Sequence, residues 1–194
     1  MAAPKILAFA GSSRRASFNR HLLPAAVEGA RQAGAEVTLI ELADYPLPLF
    51  NQDEEAAQGL PANARALKDL FKSHGALLLA CPEYNSSITP LLKNTLDWVS
   101  RQDGAESGTA PYKNKLAGLL SASAGRWGGM RGLRHVREIL TTLGCVVIPD
   151  QYNLSAADKA FDEQGKILDD KARAGAAAIG ERLSQALQQW TRPA

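Results

Sequence analysis

Five short, continuous apolar runs alternate with amphipathic stretches along this chain, and most of the runs stop at a glycine or a proline. A continuous apolar run of strand length is a strand covered on both faces. When helices separate such strands, the sheet is parallel and the helices lie on both of its sides. The runs are KILAFA (5–10), EVTLIEL (36–42), GALLLAC (75–81), KLAGLLSAS (115–123) and CVVIP (145–149).

Helical spacing fills the intervals. Leu22, Leu23, Ala26, Val27, Ala30 and Ala33 share one face and stop at Gly34. Pro24 fits that helix only if it begins near Arg20. Ala64, Leu67, Leu70 and Phe71 mark a second helix. Thr89 is placed to cap a third, with Pro90 at its first position and Leu92, Leu96 and Val99 inward. Leu133, Val136, Leu140 and Leu143 precede a stop at Gly144, and a terminal helix over 168–190 buries Ala172, Ile179, Leu183 and Leu187. The stretch 43–61, punctuated by Pro46, Pro48 and Pro61, is a loop too long to be a mere connector. EYNSSI (83–88) reads as loop.

Five such β-α units in 194 residues fit one domain spanning 1–194. The expected fold class is α/β: a flavodoxin-like, doubly wound, five-stranded parallel sheet of order 2-1-3-4-5 in three α/β/α layers. Ligands bind such sheets outside the strand carboxyl ends, at the point where the strand order reverses. The loops there are GSSRRASFN after the first strand, PEYNSS after the third and SAGRWGG after the fourth. They are also the loops richest in glycine, hydroxyl and amide groups.

The first loop runs into a helix N-terminus, where free N–H groups and the helix dipole favour an anion. Ser12, Ser13, Ser17 and Asn19 add donors, and Arg14 a charge-assisted one. Helix capping by Ser17 or Asn19 alone would use fewer donors, so a phosphate is expected. Gly11 stands alone, which excludes the GxGxxG turn for a dinucleotide pyrophosphate, and no Gly-Lys-Ser/Thr follows, which excludes a P-loop. Glu41, placed like a ribose acid, is then a surface residue. A single terminal phosphate remains, as on a mononucleotide such as FMN.

The scattered lysines and arginines, with a net charge of +2, argue against a nucleic-acid stripe. No apolar run approaches the ~20 residues that span a bilayer. Cys81 and Cys145 have neither CxxC spacing nor a nearby histidine, so no disulfide framework, zinc site or other metal site is expected. The short N-terminal apolar run is no signal segment, and a cytoplasmic location is expected.

Together GSSRRASFNR, CPEYNSSITPLLKNTLDWVSR and SASAGRWGGMRG resemble the NAD(P)H-dependent FMN reductases, a family that includes flavodoxin-like quinone, chromate and azo-compound reductases. The likeness runs in order through nearly the whole chain, and the proline-containing DYPLPLFNQDEE stretch shares it. The resemblance implies that Ser12, Arg14, Ser17 and Asn19 hold the FMN phosphate. It implies that Pro82, Glu83, Tyr84, Asn85 and Ser86 run along the isoalloxazine, and that Ser123, Ala124, Gly125 and Gly128 line its other side. Two departures stand out. Thr89-Pro90 replaces the family's frequent Pro-Gly, and Trp127 sits where small or polar residues are common.

The activity implied is FMN-dependent: a hydride passes from NAD(P)H through flavin N5 to a quinone, chromate, azo compound or free flavin, in ping-pong order. No protein side chain need act as catalyst, because the cofactor carries the electrons. The family also implies a homodimer or homotetramer, with the 43–61 loop and the Trp98 helix as contact surface. A flavodoxin-type electron carrier is the alternative, disfavoured by the slightly basic charge. A receiver module would need clustered acids after the first strand. Cys81 is expected to be a small core residue, Asp97 and Trp98 to be interface or core, and His21, His74 and His135 to be surface or capping residues.

Overall fold

In the computed structural model, which describes residues 3–190, the chain order is β1 (Lys5–Ala10), α1 (Phe18–Gln32), β2 (Glu36–Leu39), α2 (Gln52–Gln58), α3 (Ala62–Ser73), β3 (Ala76–Ala80), β4 (Glu83–Tyr84), β5 (Ser87–Ile88), α4 (Pro90–Val99), β6 (Leu116–Ala122), α5 (Met130–Leu143), β7 (Val146–Leu154) and α6 (Asp170–Trp190). Residues 1, 2 and 191–194 of the expected 1–194 domain lie outside the described residues. Five strands form a parallel sheet in the order β2-β1-β3-β6-β7, while β4 and β5 pair as a separate antiparallel hairpin. Without the hairpin, the order is the expected 2-1-3-4-5.

The strands are apolar throughout because each side of the sheet is covered. Successive β1 residues alternate between two cores: Ile6, Ala8 and Ala10 face α1 and α6, while Leu7 and Phe9 face α3, α4 and α5. In β3, Ala76, Leu78 and Ala80 join the first core, and Leu77 and Leu79 the second. This is the period-2 alternation of a strand applied to a doubly covered sheet. On the first face, α1 and α6 meet backbone to backbone. A Cβ on Gly180 would overlap the Ala26 carbonyl, and one on Gly29 the Ala177 carbonyl. Among the described residues, no helix is long and apolar enough to cross a membrane.

Several expected boundaries are corrected. The first helix begins at Phe18, not near Arg20, so Pro24 lies inside it. Asn19 is tied to β6 and Phe18 stacks on Phe161, which fixes the early start, and Pro24 faces solvent. The second strand ends at Leu39, and Leu42–Asp44 form a one-turn 3-10 helix that buries Leu42. The 43–61 loop contains α2, with Asn51 accepting from the Asp53 N–H and three acids in its first turn. EYNSSI is a hairpin, not loop. Its turn residues Asn85 and Ser86 have φ of 49° and 66°, the left-handed pair that a tight hairpin turn requires. The last strand continues to Leu154 through Pro149, which is tolerated because β7 is a sheet edge and its register shifts there. The fifth helix starts at Met130, three residues earlier than its apolar face indicated.

Leu70 and Ala172 are only partly buried. His74 is a capping residue, as one of the two expected roles had it: it occupies the C-cap of α3, buried, with its ring nitrogens bonding the Leu70 carbonyl and the Thr38 hydroxyl, each at 2.7 Å. Trp98 is core: it is 1% exposed, its Nε1 donates to the Pro48 carbonyl, and Phe50 packs edge-on against its ring. It therefore anchors the 45–50 stretch within the chain and leaves no indole surface for a contact between copies. Asp97 pairs with Lys93 at 2.6 Å.

Candidate functional site

The carboxyl ends of β1, β3 and β6 surround one cavity. It is lined by Ser12, Arg14, Ser17, Phe18 and Asn19 from the first loop, Pro82, Glu83 and Tyr84 from the second, and Ala122, Ser123 and Ala124 from the third. Backbone bonds set the three loops in register. The Gly11 N–H donates to the Ala80 carbonyl at 2.9 Å, and the Cys81 N–H to the Leu120 carbonyl at 2.8 Å. Thr89 caps α4 as expected, and its hydroxyl also donates to the Gly11 carbonyl at 2.7 Å, tying the first loop to the helix behind the second.

The first loop presents donors that the protein itself does not use. Ser17 occupies the N-cap position of α1, yet its hydroxyl makes no cap bond, and the first turn of α1 contains no acid. The Ser12 hydroxyl accepts from the Arg14 N–H at 3.3 Å and keeps its own hydrogen to give. Arg14 forms no ion pair with a carboxylate among the described residues; its guanidinium rests 5.4 Å from the Phe18 ring centroid. Arg20, by contrast, is paired with Glu41 at 3.0 Å, which accounts for Glu41 without a ribose. An unpaired cation, two hydroxyls and an acid-free helix start are a donor set for an anion.

Asn19 lines the cavity and also ties two loops together. Its amide nitrogen donates to the Ala122 carbonyl at 2.9 Å, and its oxygen accepts from the Ala122 N–H at 3.0 Å. This paired bond fastens the start of α1 to the end of β6. Spacing alone marked Asn19 as polar and near the site, but not that its amide was already engaged.

Of the expected site residues, Asn85, Ser86, Gly125 and Gly128 are not among those lining the cavity. Asn85 and Ser86 form the hairpin tip. The Gly125 N–H donates to the Ser123 hydroxyl at 3.2 Å. Gly128, with φ 56°, passes so close to β7 that a Cβ would sit 2.9 Å from the Leu154 carbonyl carbon. Its carbonyl accepts from Ser121 at 2.6 Å, so it shapes the third loop from beneath. Phe18, which the sequence did not single out, also lines the cavity.

Glu83 lines the cavity, and its carboxylate reaches the start of α5. There it accepts from Arg131 Nε at 2.9 Å and from the Gly132 N–H at 3.0 Å. Burial alone would raise this carboxyl; the Gly132 N–H and the Arg131 guanidinium outweigh it and hold the group below its usual range. A depressed carboxyl contributes stability above its unfolded value, near pH 4.3, and loses it as pH falls through the folded value. Glu83→Gln is therefore expected to melt below the wild type at pH 7, with the gap closing under acid conditions. Thermal melts across pH 3–7 check this, and a gap that does not change with pH contradicts it.

Cys81 is wholly buried, and burial pushes its thiol far above the usual range; Cys145 is pushed up to about 12. Neither is poised as a thiolate. A larger groove of about 480 Å³ lies between α1 and the 164–167 turn, lined by His21, Glu28, Lys166 and Arg173 among others. It includes no residue of the three loops, so it is size alone that commends it. The smaller cavity gathers the unpaired donors at the reversal of strand order, and the chemistry selects that one.

Known proteins resemble this chain in sequence and in fold. A sequence model of NADPH-dependent FMN reductases matches residues 4–159. The chain is 38% identical over 189 residues to an NAD(P)H-dependent FMN reductase of Pseudomonas aeruginosa, covering 97% of this chain and 95% of that one. It is 31% identical to an NADPH:quinone oxidoreductase of Arabidopsis thaliana, covering 94% and 88%. Among solved structures, the flavoenzyme NAD(P)H:(acceptor) oxidoreductase FerB of Paracoccus denitrificans superposes with a TM-score of 0.79, over 96% of this chain and 98% of that one, at 24% identity. That likeness speaks for the fold.

Proposed function

The chain belongs to the NADPH-dependent FMN reductase family, and on that footing we propose that the cavity at the β1, β3 and β6 ends seats the phosphate end of FMN. As a member of that family it is an NAD(P)H-dependent oxidoreductase with FMN as cofactor. The observation that carries the site reading is the unpaired Arg14 with Ser12 and Ser17 at the acid-free start of α1. These groups fit a phosphate: each can donate, and none of them is engaged as a side-chain donor to a protein acceptor among the described residues. The cavity, about 150 Å³, is smaller than the roughly 300–1,000 Å³ of a pocket that encloses a whole ligand. It suits the phosphate end, leaving a ring to the open rim between the 82–86 and 123–125 segments.

Bound there, FMN supplies hydride acceptance at N5 from the nicotinamide and electron delivery to a quinone, chromate, azo compound or free flavin. The chain's own residues bind and orient. Ser12, Ser17 and Arg14 neutralise the phosphate, and the α1 dipole assists them. Asn19 holds the first and third loops at a fixed spacing. The Glu83 bond to α5 fixes the hairpin, and Pro82, Glu83 and Tyr84 line the cavity together with Ser123 and Ala124 of the third loop. Nothing in this arrangement calls for a protein nucleophile or a metal. The chain acts as one FMN-binding reductase domain, and its two buried free cysteines suit a reducing, cytoplasmic setting. The exposed Leu49 on the 43–61 stretch supports pairing of copies as a homodimer or homotetramer.

Donor and acceptor take turns over the same rim, so the order is ping-pong. Initial rates against NADPH at several quinone concentrations are expected to give parallel double-reciprocal lines. Intersecting lines, the mark of both substrates bound together, contradict this.

A further inference from the structure

Arg126 and Trp127 lie on the β6–α5 loop, three residues beyond the cavity-lining Ser123 and Ala124. Trp127 is 47% exposed, and the Arg126 guanidinium sits over its ring, 4.6 Å from the centroid. The next arginine along, Arg131, is committed to Glu83, whereas Arg126 has no carboxylate partner among the described residues. The base of this loop is fixed. The Gly128 N–H donates to the Gly125 carbonyl at 3.1 Å, the Met130 N–H to the Trp127 carbonyl at 3.0 Å, and Ser121 to the Gly128 carbonyl at 2.6 Å. A cation without a carboxylate partner among the described residues and a half-exposed indole are thus held side by side on the loop that carries Ser123 and Ala124 to the cavity.

We propose that Arg126 and Trp127 form the seat for the adenosine 2′-phosphate half of NADPH and so make the chain prefer NADPH over NADH. The adenine stacks on the free face of the indole, and the guanidinium meets the 2′-phosphate. This rests on the reading of the cavity as the FMN site. The adenosine 2′-phosphate half offers a planar ring for the indole and a dianion for the guanidinium within one fragment. A quinone has the ring without the charge, and chromate the charge without the ring. A guanidinium matches phosphate oxygens in a way that an ammonium does not, and base–aromatic stacking tolerates a partly open setting. Binding energy gathered this far from the nicotinamide also helps hold the reacting end in place.

The two side chains should separate cleanly. Arg126→Gln is expected to lower kcat/KM for NADPH by about ten- to a hundredfold, through KM, with little change for NADH. Trp127→Ala is expected to lower it about tenfold for both dinucleotides, because both carry adenine; Trp127→Phe should recover most of that loss. A second readout needs no turnover. Calorimetry on the FMN-loaded protein should show adenosine 2′,5′-bisphosphate binding at least tenfold more tightly than 5′-AMP, with the difference lost in Arg126→Gln. The seat is overturned if the bisphosphate binds no better than 5′-AMP, or if Arg126→Gln leaves the NADPH/NADH ratio unchanged. Should the loaded protein oxidise neither dinucleotide, the functional reading falls, and the calorimetry alone decides the seat.

Discussion

Gly180→Ala is expected to destabilise the fold by about 3 kcal/mol, lowering the thermal midpoint by roughly 6–12 °C. The reason lies in the α1–α6 contact. Gly180 faces Ala26 and Ala30 with no room for a methyl group: a Cβ would overlap the Ala26 carbonyl and crowd the Ala30 nitrogen at 2.8 Å. Backbone cannot rotate aside as a flexible side chain can, so the helices must separate, and the core that Ile179 and Leu183 share with β6 opens with them. Gly125→Ala is the matched control. Its Cβ would meet only the Ser123 hydroxyl, at 3.6 Å, and its stability is expected to stay within about 0.5 kcal/mol of the wild type. Thermal melts of both variants check the pair. A Gly180→Ala midpoint within two degrees of wild type, by the same measure, would show that α1 and α6 do not pack this closely.

The second large effect is on ligand binding. The double variant Arg14→Ala/Ser17→Ala is expected to weaken FMN binding by roughly a hundred- to a thousandfold. Loss of a charged hydrogen bond costs about 1.5–3 kcal/mol and loss of a neutral one about 1 kcal/mol, and 1.4 kcal/mol is tenfold. The fold should be nearly untouched, because among the described residues Arg14 makes no ion pair and the Ser17 hydroxyl makes no cap bond. Titration of the protein with FMN, followed by quenching of flavin fluorescence, measures the change. Binding within threefold of wild type would place the phosphate elsewhere.

The sheet was legible because its strands are covered twice and so are apolar without a break. Ile6 to Ala10 needed no partner to be read as a strand. Gly34 and Gly144, with φ of 86° and 102°, end their helices in the left-handed conformation that the sequence signalled. Two of the failures come from the tertiary setting and one from the local backbone. Pro24 argued locally for a late helix start, and the Asn19–Ala122 bond, made across 103 positions, overrode it. Pro149 argued for the end of a strand, and its place on the sheet edge removed the cost. The EYNSSI hairpin was missed because Asn85 and Ser86 carry positive φ without a glycine.

The candidate site was legible in position more than in detail. Strand order and loop composition pointed to the same three loops, and residues from each of them line the cavity. What the sequence could not distinguish was a donor free for a ligand from one already in use. Ser17 and Asn19 are both polar and two positions apart, yet the first hydroxyl is unspent and the second amide is bound to Ala122. The Glu83 carboxylate, turned to α5, is the same lesson at the second loop.

The most direct measurement is the visible absorbance of the purified protein, reconstituted with FMN if colourless and freed of excess by gel filtration, before and after anaerobic NADPH. The expected result is a yellow protein that retains flavin through the column and bleaches when NADPH is added. A protein that emerges colourless after reconstitution would contradict an FMN site at the β1, β3 and β6 ends and leave the unpaired donors of the first loop to another anion, and one that holds flavin but stays yellow with NADPH would contradict the reductase reading.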